Sequence, residues 1–179
     1  MVMSKLLWSV TALALAACDA GGDTGKVATP QASAARLNTI DRSHAGTAAP
    51  AVKFETRDGK AATLADFKGK RVLVNLWATW CAPCIAEMPE LDQMARAKGA
   101  ALTVLPISQD MEGWRAVEPF FAKRKFTTLV ARLDQPGAFA EAVKARGLPV
   151  SILYDEKGRE VWRVAGTLKW LSPEVMAAL

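Results

Sequence analysis

Apolar residues along this chain fall either into continuous runs or into helical spacing. Residues 71–77 (RVLVNLW) form a continuous apolar run with β-branched side chains, which is typical of a strand covered on both faces. Ser172 followed by Pro173 predicts the start of a short last helix, because serine caps helices and proline fits the first helical position. The whole pattern predicts strands at 71–77, 102–107, 127–133, 150–154 and 160–165, and helices at 82–97, 113–123 and 137–145.

The order of these elements predicts the fold class. Strands alternate with helices as far as residue 145, and two strands joined by a turn then follow. Alternation of this kind implies an α/β sheet with parallel crossovers, and the last two strands imply a closing antiparallel pair. Before the first buried run, residues 52–56 and 62–64 predict a short hairpin around the turn at Asp58-Gly59.

The first eighteen residues have the features of an export signal. Lys5 supplies a short positive region, and residues 6–17 form an apolar stretch that is too short to span a bilayer, which takes about 20 residues. The run Leu15-Ala16-Ala17-Cys18 resembles the lipobox of bacterial lipoproteins, in which the cysteine sulfur receives a diacylglyceryl group and becomes the new N-terminus. An ordinary signal peptide with a chance cysteine is the alternative.

Residues 18–49 are interpreted as the lipidated Cys18 and a flexible tether, because they are rich in Ala, Gly, Thr and Ser and poor in large apolar residues. The single histidine, His44, falls in this segment and has no second metal ligand nearby. Asp19 resembles the inner-membrane retention signal of lipoproteins, so the expected location is the periplasmic face of the cytoplasmic membrane. Residues 1–17 are then the signal peptide and residues 50–179 the domain.

Composition limits the function classes without choosing one. The chain has 179 residues, of which 51% are apolar, with 23 basic and 18 acidic residues and a formal net charge of +5. One domain with a substantial core is the expectation. The longest basic run is Lys123-Arg124-Lys125, so we interpret the charge as a solvated surface and expect no nucleic-acid binding.

The pair Cys81 and Cys84 lies where a predicted strand gives way to a predicted helix. Free N–H groups and the dipole at a helix N-terminus favour an anion, which lowers the pKa of a thiol there below the roughly 8.5 of free cysteine. The second cysteine, one turn further on, is within reach of the first, so the pair suits a reversible disulfide. Half of a zinc site is the alternative, but structural zinc needs four ligands, and beyond Cys18 the chain offers two thiols and His44.

The residues around this pair resemble those of thioredoxin-fold proteins. Residues 77–84 (WATWCAPC) are similar to the active-site run of that fold, and residues 147–150 (GLPV) are similar to its cis-proline loop. In that fold the loop faces the cysteines and leaves backbone groups free to pair with a substrate strand. The resemblance implies that client proteins contact Trp80, Pro83, Leu148 and Pro149. An ordinary proline at a strand start is the alternative for Pro149.

From about Pro50 to Leu179 the chain resembles a narrower family, the membrane-anchored thiol–disulfide oxidoreductases of the TlpA/ResA type. The run from Cys81 to Cys84 and on to Glu87-Met88-Pro89 carries this resemblance. The hairpin before the first core strand fits the family, and residues 113–133 fall where it inserts a segment. The resemblance implies a thioredoxin fold with an N-terminal β-hairpin and an inserted helix–strand segment.

Asn75 and Glu87 distinguish this chain from thioredoxin itself. Thioredoxin has a buried aspartate six residues before its first cysteine, where this chain has the neutral Asn75. Glu87 lies three residues after Cys84, on the same helix face. Its position in the family implies that it tunes the thiol pKa values or accepts a proton from Cys84, and a partly solvated surface glutamate is the alternative. The tryptophans Trp77, Trp114, Trp162 and Trp170 are interpreted as packing residues.

The leading functional hypothesis is reduction of disulfides in client proteins by Cys81 and Cys84, because Ala82-Pro83 lacks the histidine that stabilises the thiolate in strong oxidases of this fold. A disulfide-forming oxidase and a non-catalytic copper or other metal carrier are the alternatives. A peroxiredoxin is set aside, because Val74 and Ala78 occupy the positions of its proline and threonine. The resemblance implies apocytochrome c or copper-delivery proteins as clients and a membrane thiol-transfer protein as reductant. We expect a monomer with no cofactor and no metal.

Overall fold

The computed structural model describes residues 37–179, so the predicted signal peptide and Cys18 lie outside the described residues. Four α-helices, two short 3-10 helices (Leu64–Phe67 and Gly99–Ala101) and seven strands form within this part of the chain. The helices are α1 (Ala82–Lys98), α2 (Trp114–Arg124), α3 (Ala138–Ala142) and α4 (Pro173–Ala178). The strands are β1 (Phe54–Thr56), β2 (Ala61–Ala62), β3 (Arg71–Trp77), β4 (Leu102–Ser108), β5 (Arg132–Leu133), β6 (Val150–Tyr154) and β7 (Glu160–Ala165).

All seven strands belong to one mixed sheet in the order β2-β1-β5-β4-β3-β6-β7. Strand β3 pairs in parallel with β4 over its full length and antiparallel with β6, which in turn pairs antiparallel with β7. The predicted parallel crossover and closing antiparallel pair are therefore confirmed. The N-terminal hairpin also forms, and β1 joins it to the rest of the sheet through β5.

Strand β3 separates two hydrophobic cores. Its side chains point alternately to the two faces of the sheet, so Leu73 and Trp77 pack on the side of α1, while Val74 and Leu76 pack on the opposite side with Phe139 of α3. By the same alternation, position 75 faces α1. The sequence thus places one polar side chain, Asn75, in an otherwise apolar strand beneath the helix that carries Cys84.

The predicted strand at 127–133 is much shorter in the structure, where β5 covers only its last two residues. The carboxylate of Asp92 on α1 accepts hydrogen bonds from the backbone N–H groups of Thr127, Thr128 and Leu129, at 2.8–3.1 Å. A side chain therefore satisfies the donors that a strand neighbour would otherwise bind. Helix α3 is also shorter than predicted and ends at Ala142.

Residues 38–49, which the composition assigned to the tether, lie along the outer edge of β7 instead. Asp41 and Arg163 exchange backbone hydrogen bonds of 2.8 and 2.9 Å, and the N–H of Asn38 donates to the carbonyl of Ala165 at 2.8 Å. At Gly166 the backbone has φ +97°, and Asn38 leaves no room there for a Cβ atom. Backbone pairing on the open sheet edge holds this segment in place, and Ile40 packs against the hydrophobic core that includes Leu73 and Trp77. The folded domain therefore includes residues that precede residue 50.

No helix within residues 37–179 combines the length and the apolar character needed to cross a membrane.

Candidate active site

The two cysteines lie at the start of α1 and form a disulfide, with their Cα atoms 5.3 Å apart. Cys81 is the N-cap residue of the helix, and its Sγ accepts a hydrogen bond of 3.3 Å from the backbone N–H of Cys84. Cys81 keeps 6% of its surface exposed, whereas Cys84 is fully buried. The structure therefore gives Cys81 the accessible position and the N–H contact that stabilise an attacking thiolate.

The loop between β3 and α1 is fixed by Asp110, which follows β4. Its buried carboxylate accepts hydrogen bonds from the Thr79 backbone N–H at 2.9 Å, the Thr79 hydroxyl at 2.6 Å and the Ser108 hydroxyl at 2.7 Å. Thr79 stands two residues before Cys81, so these bonds hold the backbone that leads into the disulfide. Sequence reasoning did not identify Asp110, because nothing in its local sequence indicates a contact with residue 79.

Glu87 is buried, with 5% of its surface exposed, and each of its carboxylate oxygens binds a neutral donor. The Asn75 side-chain amide donates to Oε1 and the Trp170 indole N–H donates to Oε2, both at 2.9 Å. The second amide N–H of Asn75 donates to the Ser151 hydroxyl at 3.0 Å. The carboxylate therefore has neutral hydrogen-bond donors at both oxygens but no cationic partner among the described residues.

Burial raises the pKa of Glu87 from 4.5 to about 7. The hydrogen bonds from Trp170, Asn75 and the backbone of Leu168 oppose this rise, while the nearby charge of Glu90 adds to it. A group with a pKa near the working pH is able both to accept and to release a proton. Glu87 thus has the properties of a proton acceptor one helical turn from Cys84.

A cleft of about 600 Å³ lies beside the disulfide. Pro83 from the start of α1 lines it together with Leu148 and Pro149, whose peptide bond is cis, and with Leu37 from the N-terminal segment. Three of the four residues predicted to contact a client therefore come together in one cleft. Trp80 is not among the residues that line it, but its side chain is 68% exposed on the surface next to Cys81.

Comparison with known proteins identifies the family. The sequence profile of the redoxin family matches residues 44–179. The chain belongs to the redoxin family. The match includes part of the N-terminal segment that pairs with β7, in agreement with its place in the folded domain.

Among relatives of this redoxin, the thiol-disulfide oxidoreductase ResA of Bacillus thuringiensis is 32% identical over 122 residues, which cover 68% of this chain and 69% of ResA. The thioredoxin-like protein YneN of Bacillus subtilis is 32% identical over 63% of this chain and 66% of its own length. The matched part thus spans about two thirds of these relatives. The predicted resemblance to ResA-type thiol–disulfide oxidoreductases is confirmed.

Solved structures show the same fold. The thioredoxin domain of the thiol-disulfide oxidoreductase BVU-2223 from Bacteroides vulgatus is 27% identical, with a TM-score of 0.59 over 74% of this chain and 93% of that domain. The pneumococcal exposed lipoprotein thioredoxin Etrx1 from Streptococcus pneumoniae is 24% identical, with a TM-score of 0.62 over 72% of this chain and 98% of that chain. The redoxin therefore has the predicted thioredoxin-like α/β fold.

Trp170 has a polar contact in this redoxin that its sequence did not reveal. The interpretation of Trp170 as a packing residue is incomplete, because its indole N–H binds the one buried carboxylate on α1. Trp170 and Glu87 are 83 residues apart, so no spacing rule connects them. In residues 37–179, no three His, Cys, Asp or Glu side chains are grouped so that they would hold a metal ion.

Proposed function

We propose that this protein reduces disulfide bonds of client proteins on the periplasmic face of the cytoplasmic membrane. The observation that carries the proposal is the Cys81–Cys84 disulfide at the N-terminus of α1, next to a cleft formed by Pro83 and the cis-Pro149 loop. Kinship with ResA supports thiol–disulfide exchange as the reaction. The absence of a histidine between the two cysteines favours the reducing direction.

Reduction begins with the thiolate of Cys81. It attacks one sulfur of the client disulfide, so that a mixed disulfide forms and the other client sulfur leaves as a thiolate, which takes a proton from water. The N–H of Cys84 and the N-terminus of α1 stabilise the Cys81 thiolate before the attack. The cleft next to Cys81 holds the client segment through Pro83, Leu148 and Pro149.

Resolution of the mixed disulfide uses Cys84 and Glu87. The Cys84 thiol transfers its proton to the Glu87 carboxylate, and the resulting thiolate attacks the Cys81 sulfur. The bond between Cys81 and the client breaks, the second client sulfur leaves as a thiolate and is protonated, and the Cys81–Cys84 disulfide forms. Two electrons have then passed to the client, and a membrane thiol-transfer protein returns two electrons to this protein.

The lipid anchor is part of the proposal and rests on the sequence around Cys18, which lies outside the described residues. A diacylated cysteine provides the two hydrocarbon chains that stable anchoring requires. We expect the full chain to sediment with membranes and a Cys18→Ser variant to be recovered in the soluble fraction of the cell envelope. Equal membrane association of both chains would contradict the lipid anchor.

Apocytochrome c and copper-delivery proteins are the proposed clients. A Cys84→Ser variant of the full chain retains the attacking thiol but lacks the resolving one, so it should accumulate disulfide-linked client in membranes. Mass spectrometry of the bands that disappear on reduction identifies the client. A Cys81→Ser variant is the matched control and should trap nothing. If the two variants trap the same proteins, or neither traps any, client reduction by Cys81 is contradicted.

A further inference from the structure

Trp170 connects the C-terminal part of the chain to helix α1 through two carboxylates. It lies fully buried between β7 and α4, and its indole N–H donates to Oε2 of Glu87 at 2.9 Å. Its backbone N–H donates to Oε2 of Glu90, also at 2.9 Å. One residue therefore contacts two of the three acidic side chains that follow Cys84 on α1.

Three fully buried tryptophans show how specific this contact is. The indole N–H of Trp162 donates to the backbone carbonyl of Ala178 at 3.0 Å, which is the kind of neutral partner a buried tryptophan usually finds. The indole N–H of Trp77 has no hydrogen-bond partner within residues 37–179. Of these three tryptophans, only Trp170 donates its indole N–H to an ionisable side chain, the carboxylate of Glu87. Packing alone explains the burial of Trp170 but not this choice of acceptor.

We propose that Trp170 is a positioning residue for proton transfer from Cys84 to Glu87. This inference rests on the proposed function, in which Glu87 receives that proton. The indole N–H holds Oε2 while the Asn75 amide holds Oε1, so the carboxylate is fixed at both oxygens. The orientation of the carboxylate is thereby set by two side chains from outside α1.

The indole N–H also acts on the charge of the carboxylate. A hydrogen bond to the ionised form favours that form and opposes the effect of burial on the pKa of Glu87. The other groups that act on Glu87 are Asn75 from β3, the backbone of Leu168 before α4 and the like charge of Glu90 on α1. Without the Trp170 N–H, Glu87 would stay buried and would still be repelled by Glu90. It would lose the hydrogen bond that contributes most to keeping its pKa low.

The test compares Trp170→Phe with Trp162→Phe in the oxidised and reduced full-length protein. Both substitutions remove one buried indole N–H, but only the first removes a donor to Glu87. Carbon-13 NMR of the glutamate carboxyl groups, titrated from pH 4 to pH 9, measures the pKa of Glu87. We expect an increase of about one unit in Trp170→Phe, the size expected for losing a hydrogen bond to a charged group, and no change in Trp162→Phe.

Single-turnover reduction of a disulfide-bonded peptide, followed across the same pH range, supplies the second readout. A pKa one unit higher leaves Glu87 ionised in about one fifth as many molecules at pH 7, so the resolving step should slow about fivefold there and recover by pH 9. An equal loss of rate at all pH values, or the same pKa in both variants, would overturn the proposal. Should Trp170→Phe fail to fold, β-(3-benzothienyl)alanine at position 170 keeps the ring shape and removes only the N–H.

A Glu87→Gln variant separates this inference from the function on which it rests. If Glu87→Gln reduces the peptide at the wild-type rate at every pH, Glu87 is not the proton acceptor. The positioning role of Trp170 is then wrong as well. If Glu87→Gln slows the resolving step at pH 8 but Trp170→Phe leaves the pH profile unchanged, the function stands and only the inference about Trp170 is overturned.

Discussion

Glu87 and Asp110 are both buried carboxylates close to the cysteine loop, yet the groups around them differ in kind. Asp110 binds the backbone N–H and hydroxyl of Thr79 and the hydroxyl of Ser108, all from the loop it holds or from the end of its own strand. Glu87 binds two side chains, Asn75 and Trp170, that stand 12 and 83 positions away in the chain. Asp110 holds the backbone of the loop before Cys81 in place. Glu87 is held by side chains in a position where it is able to take up and release a proton.

Removing the carboxylate of Asp110 should have the largest effect on stability. In Asp110→Ala the Thr79 N–H and the Ser108 hydroxyl lose their acceptor in a buried site, and unsatisfied buried donors cost about 1–3 kcal/mol each. We expect the free energy of unfolding, measured by urea denaturation, to fall by about 4 kcal/mol. Asp66→Ala, which removes an exposed capping side chain, is the control and should cost about 1 kcal/mol. Equal losses in the two variants would show that Asp110 does not fix the loop.

The pH dependence of stability should come from Glu87. Because its pKa in the folded protein, about 7, lies above the ordinary value of 4.5, the folded state binds the proton more tightly than the unfolded chain. This stabilisation is complete below about pH 4.5 and is lost as the pH rises to about 7, a change of about 3 kcal/mol. Urea denaturation of the oxidised protein at a series of pH values measures it.

Glu87→Gln is the matched control for that pH series, because the amide has the same shape and does not titrate. The difference between the wild-type and Glu87→Gln stability curves should slope downward with pH between 4.5 and 7 and be flat outside that range. A difference that is constant across the whole series would mean that Glu87 has an ordinary pKa in the folded protein and would contradict this prediction.

The smallest effect is expected at Ser151, which supports Glu87 only indirectly. Ser151→Ala removes the acceptor of the second Asn75 N–H and should lower the free energy of unfolding by about 1 kcal/mol. The first Asn75 N–H still reaches Glu87, so the pKa of Glu87 should stay within about 0.3 units of the wild-type value in an NMR titration. A larger shift would show that the orientation of Asn75 depends on Ser151.

Short-range patterns were enough to predict the elements that carry the cysteines. The continuous apolar run at 71–77 predicted β3 with its observed ends, because a strand that is buried on both faces has apolar side chains at nearly every position. The positions of Cys81 and Cys84 at the start of α1 followed from the same local change of pattern. The placement of Pro149 in a cis peptide bond facing the cleft was indicated by the resemblance to thioredoxin-fold proteins and not by spacing.

The contacts that distinguish this site were not predictable, because they join residues far apart in the chain. Asp92 replaces a strand partner for residues 127–129, and a carboxylate on a helix surface gives no sign of such a role. The N-terminal segment from residue 38 has the composition of a tether and is ordered by backbone pairing with β7, which side-chain patterns do not record. The contact between Trp170 and Glu87 likewise joins residues that are 83 positions apart.

The reduction potential of the Cys81–Cys84 pair tests the proposed direction of electron flow most directly. The soluble domain is equilibrated with thiol buffers of known potential, and the fraction of disulfide is measured by trapping the free thiols. A client reductase should have a potential near or below about −230 mV, among the reducing dithiols. A potential near about −120 mV, the range of strong oxidases, would contradict the account and make this protein a donor of disulfides.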